Sequence, residues 1–219
     1  LPAVVATDVE REKQLAAAAA AQLVESGMTL GLGTGSTASY FLDSLAAREL
    51  ELTCVATSPA TERKARSLGL HVVQLGAEGA PVHLDLAVDG ADQVAADGWI
   101  VKGGGGAHTR EKIVASAADR FVVIVSSDKI VERLTPPVPV ELLAFGLGAT
   151  FARLEHVRLR DAPPTPDGGV LADWLEPFDD PAGLATLLGG TPGVVDHGLF
   201  PPDLASEILV GRGETVERR

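Results

Sequence analysis

Six runs in the first 125 residues, at 28–32, 52–57, 71–75, 84–88, 99–101 and 121–125, are apolar almost without a break. Half-exposed antiparallel strands alternate apolar and polar residues, whereas strands buried on both faces do not. Parallel strands also need crossovers, and helical patterns stand between most of these runs. Thr7-Asp8-Val9-Glu10 has the form of a capping box ahead of a helix that passes through Ala16–Ala21 and stops near Gly27. Further helices are predicted at about 38–48, at 59–68 before Gly69, and at 108–118. The pattern predicts an α/β fold: a doubly wound, mostly parallel sheet with helices on both faces.

Beyond about residue 134 the texture changes. Pro136, Pro137 and Pro139 mark an edge or linker, and Pro163 to Gly169 is a dense turn cluster. Strands at 138–143, 155–160 and 170–174 and helices near 145–154 and 181–188 suggest a smaller α+β (ferredoxin-like) lobe. The expected division is residues 1–133 with 205–219 as the α/β catalytic domain, and 134–204 as the small domain. The stretch 208–216 is expected to return to the first domain as a hairpin.

Composition narrows the function. With 46% hydrophobic and 22% charged residues the chain can build a real core, while its net charge of −12 repels nucleic acid and anionic membranes. Any anionic ligand must be small and met by a few local cations. Cys54 is the single cysteine and no run of about 18 strongly apolar residues occurs, so a cytoplasmic protein is expected. Only five of the 18 basic residues are lysines (Lys13, Lys64, Lys102, Lys112, Lys129), which makes those positions mild candidates for a compact ammonium.

Ligands of open parallel sheets bind beyond the carboxyl ends of the strands. Those ends carry Gly33-Thr34-Gly35-Ser36-Thr37, Asp89-Gly90-Ala91-Asp92, Lys102-Gly103-Gly104-Gly105-Gly106 and Ser126-Ser127-Asp128-Lys129. The first offers N–H groups and hydroxyls at a helix start, a cradle for an anion. It is not a P-loop, because Ser36 stands where the lysine belongs. A dinucleotide site is also a poor match, since Ser36 replaces the third glycine and the next strand ends in Thr57-Ser58 without an acid. A small phosphate ester fits better. Asp89, Asp92, Lys102 and Glu111 form a second group suited to acid–base work beside an oxyanion. Glu111 opens a helix, where the macrodipole favours the ionised form that a base needs. No metal is expected, because the five histidines lack ligand spacing.

Seven stretches together resemble the type A ribose-5-phosphate isomerase family: "GLGTGSTA" (31–38), "TSPATERKARSLGL" (57–70), "DGAD" (89–92), "KGGGGAHTREKIVA" (102–115), "PVEL" (139–142), "TPDGGVLADW" (165–174) and "TPGVVDHGLF" (191–200). The resemblance implies a cofactor-free aldose–ketose isomerase acting on ribose 5-phosphate, assembled as a homodimer or homotetramer. It places the general base on Glu111 and the other acid–base and hydroxyl-binding groups on Asp89, Asp92 and Lys102. Around them, Gly90, Ala91 and Gly103 to Gly105 are expected to contact substrate. Thr34, Gly35, Ser36, Thr37, Lys129 and Lys13 fall on phosphate-binding positions. Gln93, Gly106, His108 and Ser126–Asp128 depart from the family's usual residues. A related sugar-phosphate isomerase or deaminase would use similar loops, and a non-catalytic sensor would need the cradle but not the acid–base pair.

Overall fold

The computed structural model describes residues 2–219, with side chains from Asp8 onward. The chain runs α1 (Pro2–Ala21), β1 (Thr29–Leu32), α2 (Ser36–Ala46), β2 (Thr53–Ala56), α3 (Pro59–Ser67), β3 (His71–Val73) and β4 (Leu84–Asp89). Next come β5 (Gln93–Ala95), β6 (Ile100–Val101), α4 (His108–Ser116), β7 (Ala118–Ser126), a 3₁₀ turn (Ser127–Lys129) and β8 (Ile130–Val131). It continues as β9 (Val138–Leu142), α5 (Leu147–Phe151), β10 (Val157–Leu159), β11 (Val170–Trp174) and α6 (Pro181–Gly189). The last strands are β12 (Val194–His197), β13 (Leu199–Phe200), β14 (Glu207–Arg212) and β15 (Thr215–Arg218). Helix α1 begins at Pro2, so Thr7 lies within it and not at its cap; the Thr7 side chain is outside the described residues.

Two compact units emerge: 1–91 with 110–130 and 203–219, and 92–109 with 131–202. Residues 92–109 group with the second unit, where the change of texture at 134 had placed them with the first.

The first unit holds a seven-stranded sheet of order β15-β14-β7-β4-β1-β2-β3, parallel except for the final β14–β15 hairpin. Its central strands are buried on both faces, and the period of two separates the partners. Leu30, Leu32, Cys54, Leu86, Val88, Val122 and Ile124 join a core with Ala16, Ala20, Phe41 and Ala65 of α1–α3. The intervening Gly31 faces Val114 of α4. Helices therefore cover both faces. The chain winds outward from β1 through β2 to β3, then returns to β4 on β1's other side. The switch point lies between β1 and β4, where a doubly wound sheet opens its binding crevice.

The second unit contains β9-α5-β10-β11-α6-β12, with antiparallel sheet order β10-β11-β9-β12, the ferredoxin-like arrangement. Its core includes Val138, Val140, Leu142, Ala172, Trp174 and Leu188. A small sheet of order β13-β6-β5-β8 accompanies it. Here one expectation fails: residues 99–101 are not a strand of the parallel sheet. Ile100 and Val101 pair antiparallel with β5 and β13. The cause is Asp97-Gly98, a hairpin signal, with Gly98 at φ 88° and its N–H donating to Ala95 O. Among the described residues no helix is long and apolar enough to cross a membrane.

Candidate active site

In the first unit the candidate residues gather where β1, β4 and β7, adjacent in the sheet, end. Asp89 closes β4 and is 3% exposed. Its Oδ1 accepts the Gly90 N–H at 2.7 Å and the Thr34 N–H at 3.0 Å, which joins the β4 end to the β1 loop. Glu111, in the first turn of α4, is 5% exposed and borders the same narrow gap as Asp89, Gly31, Gly33 and Phe121.

The glycines of "GLGTG" set these approaches. A Cβ at Gly31 would overlap Val114, so its absence lets α4, and with it Glu111, settle onto β1. A Cβ at Gly33 would overlap the Asp89 carboxyl group. Gly35 has φ 118° and caps α2, a conformation that side chains disfavour. Gly35 thus shapes the start of α2, whereas Gly31 and Gly33 admit the carboxylates.

Thr34 turns out to be tied into the scaffold. Its hydroxyl lies 2.8 Å from Thr57 Oγ1 and 3.1 Å from Thr61 Oγ1, while those two hydroxyls donate to Leu32 O and Gly33 O. What the loop presents outward is exposed Gly35 and Ser36 with Thr37 beside them, at the α2 N-terminus. Lys129 follows β7 in the 3₁₀ turn, paired with Asp128 at 3.4 Å. Burial would raise the Asp128 carboxyl, but the Ser126 hydroxyl and the Lys129 charge outweigh it and lower it. Lys13 pairs with Glu10 at 2.7 Å, and Glu10 also accepts the Tyr40 hydroxyl of α2 at 2.7 Å. Ser127 donates its N–H and hydroxyl to Glu12, which ties α1, the helix that carries Lys13, to the 3₁₀ turn that ends in Lys129.

The second unit carries Asp92, Lys102 and the glycine loop. Lys102 is 3% exposed, with Nζ 5.7 Å from the centre of the Phe200 ring, a cation–π contact. Its N–H donates to Gly198 O at 2.9 Å. Gly198 must itself be bare, because a Cβ there would overlap the Lys102 carbonyl. Gly103, at φ 100°, lies against the ring of fully buried His108, and Asp92 accepts the Gly104 N–H at 2.7 Å. Asp89 and Asp92, alike in sequence, thus differ in setting: one is buried and held by two N–H groups, the other is exposed and bound to the loop.

Two of the departing positions, Gln93 and Ser126, find hydrogen-bond partners for their side chains. Gln93 donates to Thr135 O and accepts the Thr135 N–H, both at 2.8 Å, a two-way bond that a carboxylate cannot make. Ser126 donates to Asp128. Residues missed by sequence reading include Thr57, Thr61 and Arg160, whose Nη1 donates to Gly103 O and Gly104 O at 2.9 and 3.2 Å. Buried Glu141 was likewise missed; it accepts the hydroxyls of Thr109 and Thr165. Thr57, Thr165 and Glu141 all sit in quoted motifs, and their polarity beside apolar neighbours was the available signal.

Fold and side chains together define a doubly wound α/β protein with two buried carboxylates gathered at its switch point. The family model for ribose 5-phosphate isomerase A (phosphoriboisomerase A) matches residues 53–215, and the chain belongs to that family. A ribose-5-phosphate isomerase A from Caulobacter sp. (strain K31) is 42% identical over 220 residues, covering 94% of this chain and 96% of its own. The solved ribose 5-phosphate isomerase A of Methanocaldococcus jannaschii matches with a TM-score of 0.87 at 32% identity, over 94% of this chain and 97% of that one. A D-ribose-5-phosphate isomerase solved in complex with phospho-erythronic acid gives 0.88 at 31%, over 96% and 98%.

Proposed function

We propose that the chain interconverts ribose 5-phosphate and ribulose 5-phosphate by moving one proton between C2 and C1 through an enediolate, with Glu111 carrying the proton. The observation behind this reading is that Glu111 and Asp89 are both buried around one narrow gap beside the β1/β4 switch point, in a chain of this family. A single carboxylate able to reach both carbons suffices, because the proton leaves and returns on one face of a planar intermediate. A positioned acid–base group of this kind contributes about 10²–10⁴-fold to the rate.

The enediolate oxygens need positive partners. Lys102 supplies a charge and the glycine loop supplies N–H groups, each such donor worth about 3–4 kcal/mol in comparable sites. Because the Gly104 N–H is given to Asp92, Asp92 serves as a strut of the loop, and Gly103 and Gly105 carry the donor role. Asp89 manages protons on the sugar oxygens, including ring opening, with Gly90 and Ala91 alongside. The α2 N-terminus at Gly35, Ser36 and Thr37 receives the phosphate, aided by Lys129 and Lys13. Thr34 supports that cradle from behind.

The test is ketose formation from ribose 5-phosphate in excess chelator, beside hexose and amino-hexose phosphates. Turnover of the pentose phosphate, undiminished by chelator, is expected. Ammonia release from the amino sugar in preference would point to a deaminase, and tight binding without turnover to a sensor.

A further inference from the structure

Four consecutive glycines pose a mechanical problem. Glycine adopts either sign of φ at little cost, so peptide planes in such a loop can turn over. Donors aimed at a developing charge must instead be fixed before the reaction. Arg160, just past β10, is placed to fix them. Its Nη1 donates to the carbonyls of Gly103 at 2.9 Å and Gly104 at 3.2 Å. Its Nε and Nη2 form a two-pronged pair with Asp173 of β11, at 2.8 and 2.6 Å. Both side chains are below one-fifth exposed, at 17% and 19%. Such a pair is geometrically rigid, unlike a solvated surface ion pair.

A trans peptide is planar, so its N–H points opposite to its C=O. Holding Gly103 O toward Arg160 therefore sends the Gly104 N–H the other way, where Asp92 Oδ2 receives it at 2.7 Å. Holding Gly104 O by the same guanidinium directs the Gly105 N–H away from Arg160. A cation on each carbonyl also polarises the peptide and strengthens its N–H as a donor.

We infer that Arg160, locked by Asp173, is a positioning residue for the isomerisation: it fixes the peptide planes of the glycine loop and so the direction of the donors that the enediolate meets. This rests on the proposed activity, and wild-type turnover tests that activity separately from the variants below. Replacing Arg160 with Met keeps the length and removes the fork. In Arg160→Met, kcat should fall about 30–100-fold while KM for ribose 5-phosphate changes by less than about 3-fold, because the lost interaction belongs to the transition state. Phospho-erythronic acid, whose carboxylate imitates the enediolate, should lose affinity in step with kcat, and inorganic phosphate should not. Arg160→Lys should not rescue, since an ammonium cannot reproduce the fork. Asp173→Asn should give a smaller loss of the same kind, and the double variant should be no worse than Arg160→Met alone.

A folded Arg160→Met with near-normal kcat would overturn the inference. So would equal weakening of phospho-erythronic acid and phosphate, or full rescue by lysine. If Arg160→Met does not fold, Asp173→Asn decides by the same split between kcat and KM.

Discussion

Among described residues, no atom stands within 4 Å of the place where a Cβ of Gly105 would project. Its neighbours in the loop are explained by protein: Gly103 by His108 and Gly104 by Asp92. The proposed site gives Gly105 a different role, as a place where a sugar would lie against the backbone. Gly105→Ala should keep or raise thermal stability by about 0.4–1 kcal/mol, as loop Gly-to-Ala changes do at compatible φ, yet lower kcat/KM about 10-fold or more through substrate displacement. Melting curves and steady-state kinetics on the one variant check both halves. Lys129→Ala should behave oppositely, raising KM about 10-fold with kcat changed less than about 3-fold, the mark of lost phosphate binding. An unchanged KM would remove Lys129 from the phosphate site. That Asp89 closes a parallel strand and Glu111 opens a helix was legible in the sequence from the apolar runs and glycines beside them. Thr57, Thr61, Arg160 and Asp173 were not, since their partners lie far along the chain and the residues are ordinary in themselves.

Between elements, buried Glu12 of α1 does the joining. It accepts the Ser127 N–H at 2.8 Å, the Ser127 hydroxyl at 2.7 Å and the Gly213 N–H of the β14–β15 turn at 2.8 Å. Burial pushes its carboxyl up, but the Gly213 and Ser127 bonds outweigh it and hold the group below its ordinary 4.5. A depressed folded value means that this stabilisation is complete above about pH 4.5 and is lost as pH falls through the folded pKa. Glu12→Gln should cost about 2 kcal/mol near neutrality, the scale of a buried charged acceptor, and the gap to wild type should close on acidification below 4.5. Denaturant melts from pH 3 to pH 7, about the working range for such linkage, would show it; a gap independent of pH would refute the role. Sequence reading found the long elements, including the returning hairpin near 208–216, because apolar runs and caps announce them. It missed β5, β8, β12 and β13, each of four residues or fewer, and misplaced β6, where Asp97-Gly98 turns the chain into a hairpin before a sheet partner can be inferred.

At the scale of the molecule, the parallel strands were legible as near-continuous apolar runs, whereas the grouping of 92–109 with the second unit depends on contacts that no local pattern carries. The seven-stranded sheet buries Cys54 completely, and burial pushes its thiol up to about 12. At neutral pH the thiol stays protonated and inert, so an alkylating reagent should label the native enzyme only as fast as the sheet opens, with activity falling no sooner. Fast labelling of the folded protein would contradict that packing.

The central claim is that Glu111 moves a single proton between adjacent carbons. Ribose 5-phosphate deuterated at C2, converted in ordinary water by wild type and by Glu111→Gln, tests it most directly. Transfer of one proton by a carboxylate predicts that wild-type ribulose 5-phosphate carries label at C1, less whatever the carboxyl exchanges with solvent before delivery. It also requires a folded Glu111→Gln that binds phospho-erythronic acid yet turns over slower by about 10²–10⁴-fold. Near-normal turnover by a folded Glu111→Gln, or wild-type ribulose 5-phosphate with no label at C1 under any condition, would contradict it.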